Sequence, residues 1–137
     1  MKKYFILFLC LITFILTLYS VKMPVFHEFS EVSTLYVGEA NSNCKIVMTK
    51  NSFVPFILSV RGESVQIHNK NFNLNSLLAH FDARLIFIEE LEEGTSYYAF
   101  SNQIKYRKIM KDKVVNLHVF IAENYVVLGS PIIFGSF

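Results

Sequence analysis

Residues 114–130 read VVNLHVFIAENYVVLGS. Two apolar runs, rich in β-branched and aromatic residues, flank Glu123-Asn124. In the first run Leu117, Val119 and Ile121 alternate with His118, Phe120 and Ala122. That period of two sends successive side chains to opposite faces of a strand. Asn tolerates the positive φ that a tight turn asks of a central residue, so the stretch predicts a β-hairpin. Both faces of the first strand are apolar, which places it inside a sheet rather than at an edge. Pro131, with no backbone donor, ends the second strand.

The same period extends outward. Strands are expected at Lys45–Lys50, Phe56–Arg61, Ser64–His68, Leu85–Glu89, Ser96–Ser101 and Ile104–Met110. Gly62-Glu63 reads as a two-residue hairpin turn, and Lys111-Asp112-Lys113 as another turn. One segment departs from the pattern. Leu74, Leu77, Leu78 and Phe81 fall at i, i+3, i+4 and i+7, one face of a helix. Asn73 is its expected N-cap, and the helix should run to about Ala83. Three turns are too few for stability alone, so the helix must pack on the sheet. The predicted class is α+β: an antiparallel β-sheet with one short helix on one face, over residues 45–137. Residues 22–44 are expected to be a linker, with a short strand near Ser33–Glu39.

At the amino end, Lys2 and Lys3 precede the uncharged run Tyr4–Val21. As a helix this run is roughly 27 Å long, close to a bilayer core of about 30 Å. Residues 1–21 are therefore expected to form a transmembrane helix, a single-pass anchor or signal segment that meets the membrane through residues 4–21. The flanking lysines keep the amino terminus cytoplasmic and send residues 22–137 outside. The other reading is a cleaved secretory signal, although Thr17-Leu18-Tyr19-Ser20 offers no Ala-x-Ala site.

The 137-residue chain is 53% hydrophobic and 18% charged, which excludes disorder over most of its length. It carries 13 basic and 11 acidic residues. Lys2 and Lys3 account for the whole excess, so no strongly cationic nucleic-acid binder is expected. The one dense basic cluster is Lys105, Arg107, Lys108, Lys111 and Lys113, interleaved with Tyr106. Outside a cell, an anionic envelope polymer suits such a patch better than nucleic acid. Lysines on an edge strand also guard against aggregation without any ligand.

Other chemistry is sparse. His27, His68, His80 and His118 show no His-x-His or His-x-x-x-His spacing, so no metal and no cofactor are expected. His68 and His118, both on predicted strands, are the pair that a pocket would have to bring together. No Gly-x-Ser-x-Gly supplies a nucleophile, and no catalytic residue is assigned. Glu89, Glu90, Glu92 and Glu93 read as a solvated connection. Cys10 lies in the apolar run and Cys44 stands alone beyond it, where it reads as a small buried or half-exposed residue rather than a nucleophile.

Asn116-Leu117-His118-Val119, followed by Gly129-Ser130-Pro131-Ile132-Ile133, resembles the tail of the YwmB-like proteins of low-GC Gram-positive bacteria. The similarity covers roughly residues 96–137. It implies a secreted or anchored protein of unassigned activity with a fold like the TATA-box-binding protein, and that fold does not imply DNA binding. Gly129, Ser130, Pro131 and Gly135 are read as a structural motif: the glycines permit turns or bulges, and Pro131 needs no ladder donor. The resulting expectation is a membrane-anchored extracytoplasmic interaction domain, non-catalytic, contacting a protein or anionic envelope polymer. The alternative is a small secreted enzyme of unknown reaction.

Overall fold

In the computed structural model, residues 2–19, 21–22, 24–30, 32–38, 45–50, 54–55 and 60–134 are described. The chain runs α1 (Lys2–Tyr19), β1 (Val21–Lys22), β2 (Val32–Val37), β3 (Lys45–Lys50), β4 (Val54–Pro55) and β5 (Val60–His68). Then come α2 (Leu74–His80), β6 (Ala83–Leu91), β7 (Gly94–Ser101), β8 (Lys108–Met110), β9 (Lys113–Val115), β10 (Leu117–Ile121) and β11 (Tyr125–Ser130). Seven strands make one sheet in the order β3-β2-β5-β11-β10-β7-β6, with every neighbouring pair antiparallel. Two small pairs stand beside it, β1 with β4 and β8 with β9.

The β10–β11 hairpin lies in the sheet interior, as its two apolar faces require. Leu117, Val119, Val126 and Leu128 are fully buried on one face with Val65 and Ala99. Leu77 and Phe81 press onto that face from α2 and its end. Asn73 caps α2, its side chain accepting the Ser76 N–H at 3.0 Å. The helix is seven residues long, shorter than its apolar spacing suggests. It ends where Asp82 takes a φ of 46°. Burying side chains such as Leu77 and Phe81 contributes about 1.5–3 kcal/mol each, and this holds a helix too short to persist alone.

Residues 24–37 fall inside the expected linker, yet they supply core. Phe26 is 0% exposed and meets Phe81 edge-on at 5.9 Å. Strand β2 pairs with both β3 and β5, and Leu35 is buried. The predicted turn at Gly62-Glu63 is instead the interior of β5, paired on both sides. Gly62 is there because a Cβ would strike the Phe134 ring and come 2.7 Å from the Ser130 carbonyl.

The expected transmembrane helix is corrected. No helix among the described residues is long and apolar enough to cross a membrane. Two of the 18 residues of α1 are Lys2 and Lys3, so its apolar part rises about 24 Å, short of a bilayer core. Most of its described apolar side chains are exposed, Tyr4 at 80% and Leu7 at 73%.

The second sheet face is covered by the β8–β9 hairpin and by the tail Pro131–Phe134. The Ile133 N–H donates to His118 Nδ1 at 3.2 Å, and the Tyr36 hydroxyl donates to the Phe134 carbonyl at 2.7 Å. Gly129 sits beneath this tail. A Cβ there would lie 2.6 Å from Ile133 Cγ1 and 2.7 Å from Ile133 N. The glycine therefore serves a close approach of the tail to β11. Ser130 and Pro131 are buried, and Gly135 and Cys44 lie outside the described residues. Gly129→Ala should cost about 2 kcal/mol, within the range for overpacking. Amide exchange checks it: the Ile133 amide loses protection while the β10–β11 ladder keeps its own.

Candidate functional site

The five predicted basic residues do not form one patch. Lys105 is exposed in the loop before β8. Lys108 Nζ lies 5.9 Å from the Phe134 ring. Lys111 pairs with Glu89 and sits 5.0 Å above the Phe87 ring. The acidic and basic clusters thus meet at one ion pair, and Glu90, expected in the connection after the strand Leu85–Glu89, belongs with Glu89 to β6. Lys111 holds the Glu89 carboxyl below its usual range.

Arg107 and Lys113 point elsewhere. Arg107 stacks over the Phe100 ring at 5.3 Å, and Arg84 of β6 approaches the same ring at 5.6 Å. These groups line a cleft of about 570 Å³ with Leu85, Ile86, Lys113 and Val114. Three of the lining residues are cations and none is acidic. A guanidinium held against an aromatic ring keeps its planar fork of donors pre-organised for a carboxylate or phosphate. Two such forks and an ammonium give the cleft the kind of donors that carboxylates and phosphates pair with.

Sequence reasoning missed Arg84 and Phe100, and no local signal marks them. The β6–β7 register sets Arg84 opposite Phe100. The loop before β8 then returns Arg107, seven residues beyond Phe100, to the same ring.

A second constellation lies under the β8–β9 hairpin. Phe87, Tyr98 and His118 stack across β6, β7 and β10 with ring centroids 4.3 and 4.2 Å apart. His118 is 3% exposed, and burial pushes its pKa down to about 4, against a smaller upward pull from Glu89. The ring is therefore neutral at pH 7. Since Nδ1 accepts the Ile133 amide, Nε2 carries the proton and donates to Ser96 Oγ at 3.1 Å. A base that must take a proton from serine needs the opposite tautomer. The Ser96–His118 contact is thus a latch for the tail and not a nucleophile–base pair. Burial, followed by Glu89, raises the Tyr98 hydroxyl, which keeps its proton.

The remaining histidines stay apart from it. His68 is exposed beside Tyr125, while His118 pairs with Gly129, so the two do not meet. His27 and His80 flank Glu28 at 3.7 and 3.5 Å on the surface of the helix side. No group of three metal-ligating residues occurs among the described residues. On the same side, buried Glu63 accepts the Phe26 N–H at 3.0 Å. Burial pushes its carboxyl up, and bonds from the Val25 and Phe26 backbone pull it partly back. This carboxylate ties the segment before β2 to the sheet.

No protein-family model, curated protein or solved structure matches the chain. The resemblance of the carboxy-terminal string rests on the residues quoted for it.

Proposed function

We propose that this protein is an extracytoplasmic interaction domain, non-catalytic, that holds an anionic group of an envelope polymer in the cleft between β6, β7 and β9. One observation carries the reading: Arg84 and Arg107 converge on Phe100 beside Lys113, with no carboxylate lining the cleft. The polymer's repeated phosphates or carboxylates would match the paired forks. Export rests on the order of the amino end, two lysines and then an apolar helix, which is that of a secretory signal. An amino terminus near Lys22 on protein recovered from the medium supports export; a full-length chain confined to the cytoplasm refutes it.

Binding of long-chain polyphosphate at low salt tests the cleft. Arg84→Glu and Arg107→Glu should each weaken binding roughly tenfold, about 1.4 kcal/mol. Lys105→Glu, outside the cleft, should change it by less than about threefold. Affinity should fall steeply with added salt, as ion-mediated binding does. Equal losses in all three variants, or no binding at low salt, contradict the reading.

A further inference from the structure

Strand β6 ends the sheet, and no described strand pairs with its outer edge. It is nine residues long, and Leu85 and Ile88 are 42% and 49% exposed. A long edge of unpaired backbone groups is a template for another strand. The question is which strand fits.

The register with β7 sorts the β6 side chains by face. Arg84, Phe87 and Glu89 stand opposite Phe100, Tyr98 and Ser96, on the side of the β8–β9 hairpin. Ala83, Leu85, Ile88 and Glu90 stand opposite Ser101, Ala99, Tyr97 and Thr95, on the side of α2. The irregularity between Leu85 and Phe87 shifts the alternation by one residue. The strand is basic at its start, apolar in the middle and acidic at its end. That order is its own complement when a second copy runs antiparallel.

We infer that β6 pairs with β6 of a second copy across a two-fold axis between Ile86 and Phe87, joining two sheets edge to edge. Side chains that oppose each other across an antiparallel pair must leave the same face. Setting Arg84 against Glu89 satisfies this for every residue whose face the register fixes on either side of the axis: Leu85 meets Ile88, and Ala83 meets Glu90, while Ile86, which has no partner in β7, meets Phe87 at the axis itself. A shift of one residue sets Arg84 against Ile88 or Glu90, on opposite faces. A shift of two sets Phe87 against Ile88, again on opposite faces, or brings Glu89 against Asp82, a like-charge pair. Two-fold symmetry repeats each favourable contact. Irregularities often blunt an edge; this one lies on the axis, where it restores the matching of faces. The inference does not depend on anion binding. Arg84 has five N–H donors to divide between a carboxylate at the edge and an anion in the cleft.

Disulfide trapping in the full-length chain tests it, with Cys10→Ser and Cys44→Ser removing the two native thiols. Leu85→Cys with Ile88→Cys places opposing Cα atoms about 4.5–5.5 Å apart across the proposed pair, within the Cα range of disulfides. Leu85→Cys with Glu90→Cys is the register control. All three positions are exposed, so the fold should tolerate both variants, which circular dichroism checks. Under mild oxidation the first variant should form covalent dimer roughly tenfold faster than the control, since only its thiols oppose each other. No dimer, or equal rates, overturns the inference. Equal rates are also what association through α1 alone would give.

Discussion

Replacing Asn116 with alanine should destabilise the protein by about 3 kcal/mol, the cost of leaving buried backbone groups without partners. Asn116 is 0% exposed and stands between β9 and β10, where the chain steps from the small hairpin into the main sheet. Its Oδ1 accepts the Ser101 N–H at 2.8 Å. Its Nδ2 donates to the Ser101 carbonyl at 2.7 Å and to the Ile104 carbonyl at 2.9 Å. One side chain thus does for the end of β7 what a neighbouring strand does elsewhere. Ser101 continues the knot, its hydroxyl donating to the Phe81 carbonyl and accepting the Gln103 N–H. Asn116→Asp should cost more than Asn116→Ala, because a carboxylate oxygen would then face two carbonyls. Urea unfolding of the three proteins checks the order; Asn116→Asp as stable as wild type contradicts it.

Acidification should remove about 3 kcal/mol as His118 is forced to charge. The ring has its ordinary value of 6.5 in the unfolded chain and about 4 in the fold. Unfolded chains therefore bind the proton more readily. Stability from this group is complete above pH 6.5 and is lost as pH falls towards 4. Glu63 works in the opposite sense. Its raised carboxyl contributes stability below the ordinary carboxylate range and loses it as pH rises through its folded value. Unfolding midpoints from pH 7 to pH 4 should fall in a Glu63→Gln background, and His118→Gln added to it should flatten the slope. The first element to loosen should be the tail, because imidazolium Nδ1 cannot accept the Ile133 amide. An His118 ring that titrates near 6.5 by NMR contradicts this account.

The sequence carried what depends on local period. The alternation around Leu117–Ile121 and the spacing of Leu74, Leu77, Leu78 and Phe81 mark elements that the structure contains, with Asn73 as the helix cap. It did not carry what depends on long-range approach. Gly62 and Gly129 read locally as turn or strand-end residues, yet each is small because the tail passes over it. Phe26 lies in a stretch with no periodic pattern; it enters the core by packing on Phe81 while the Glu63 carboxylate holds its amide. The uncharged run of α1 suggested a span, but the flanking lysines take up part of its length. The basic cluster was visible as a string of charges. Its division between Glu89, Phe134 and the Phe100 cleft depends on sheet register and on the turn at Lys111 and Asp112, whose φ values are 48° and 59°. The hydrogen bonds of Asn116 and His118 give both a structural task that their place in the string Asn116-Leu117-His118-Val119 does not reveal.

The claim that this domain reads anions through one cleft is tested most directly by mapping where a polyanion touches it. Polyphosphate titrated at low salt into isotope-labelled protein should shift the Nε–H signals of Arg84 and Arg107 and the amides of Phe100 and Lys113. Shifts that spare these four and gather instead at Lys105 or along Lys45–Lys50 would contradict it.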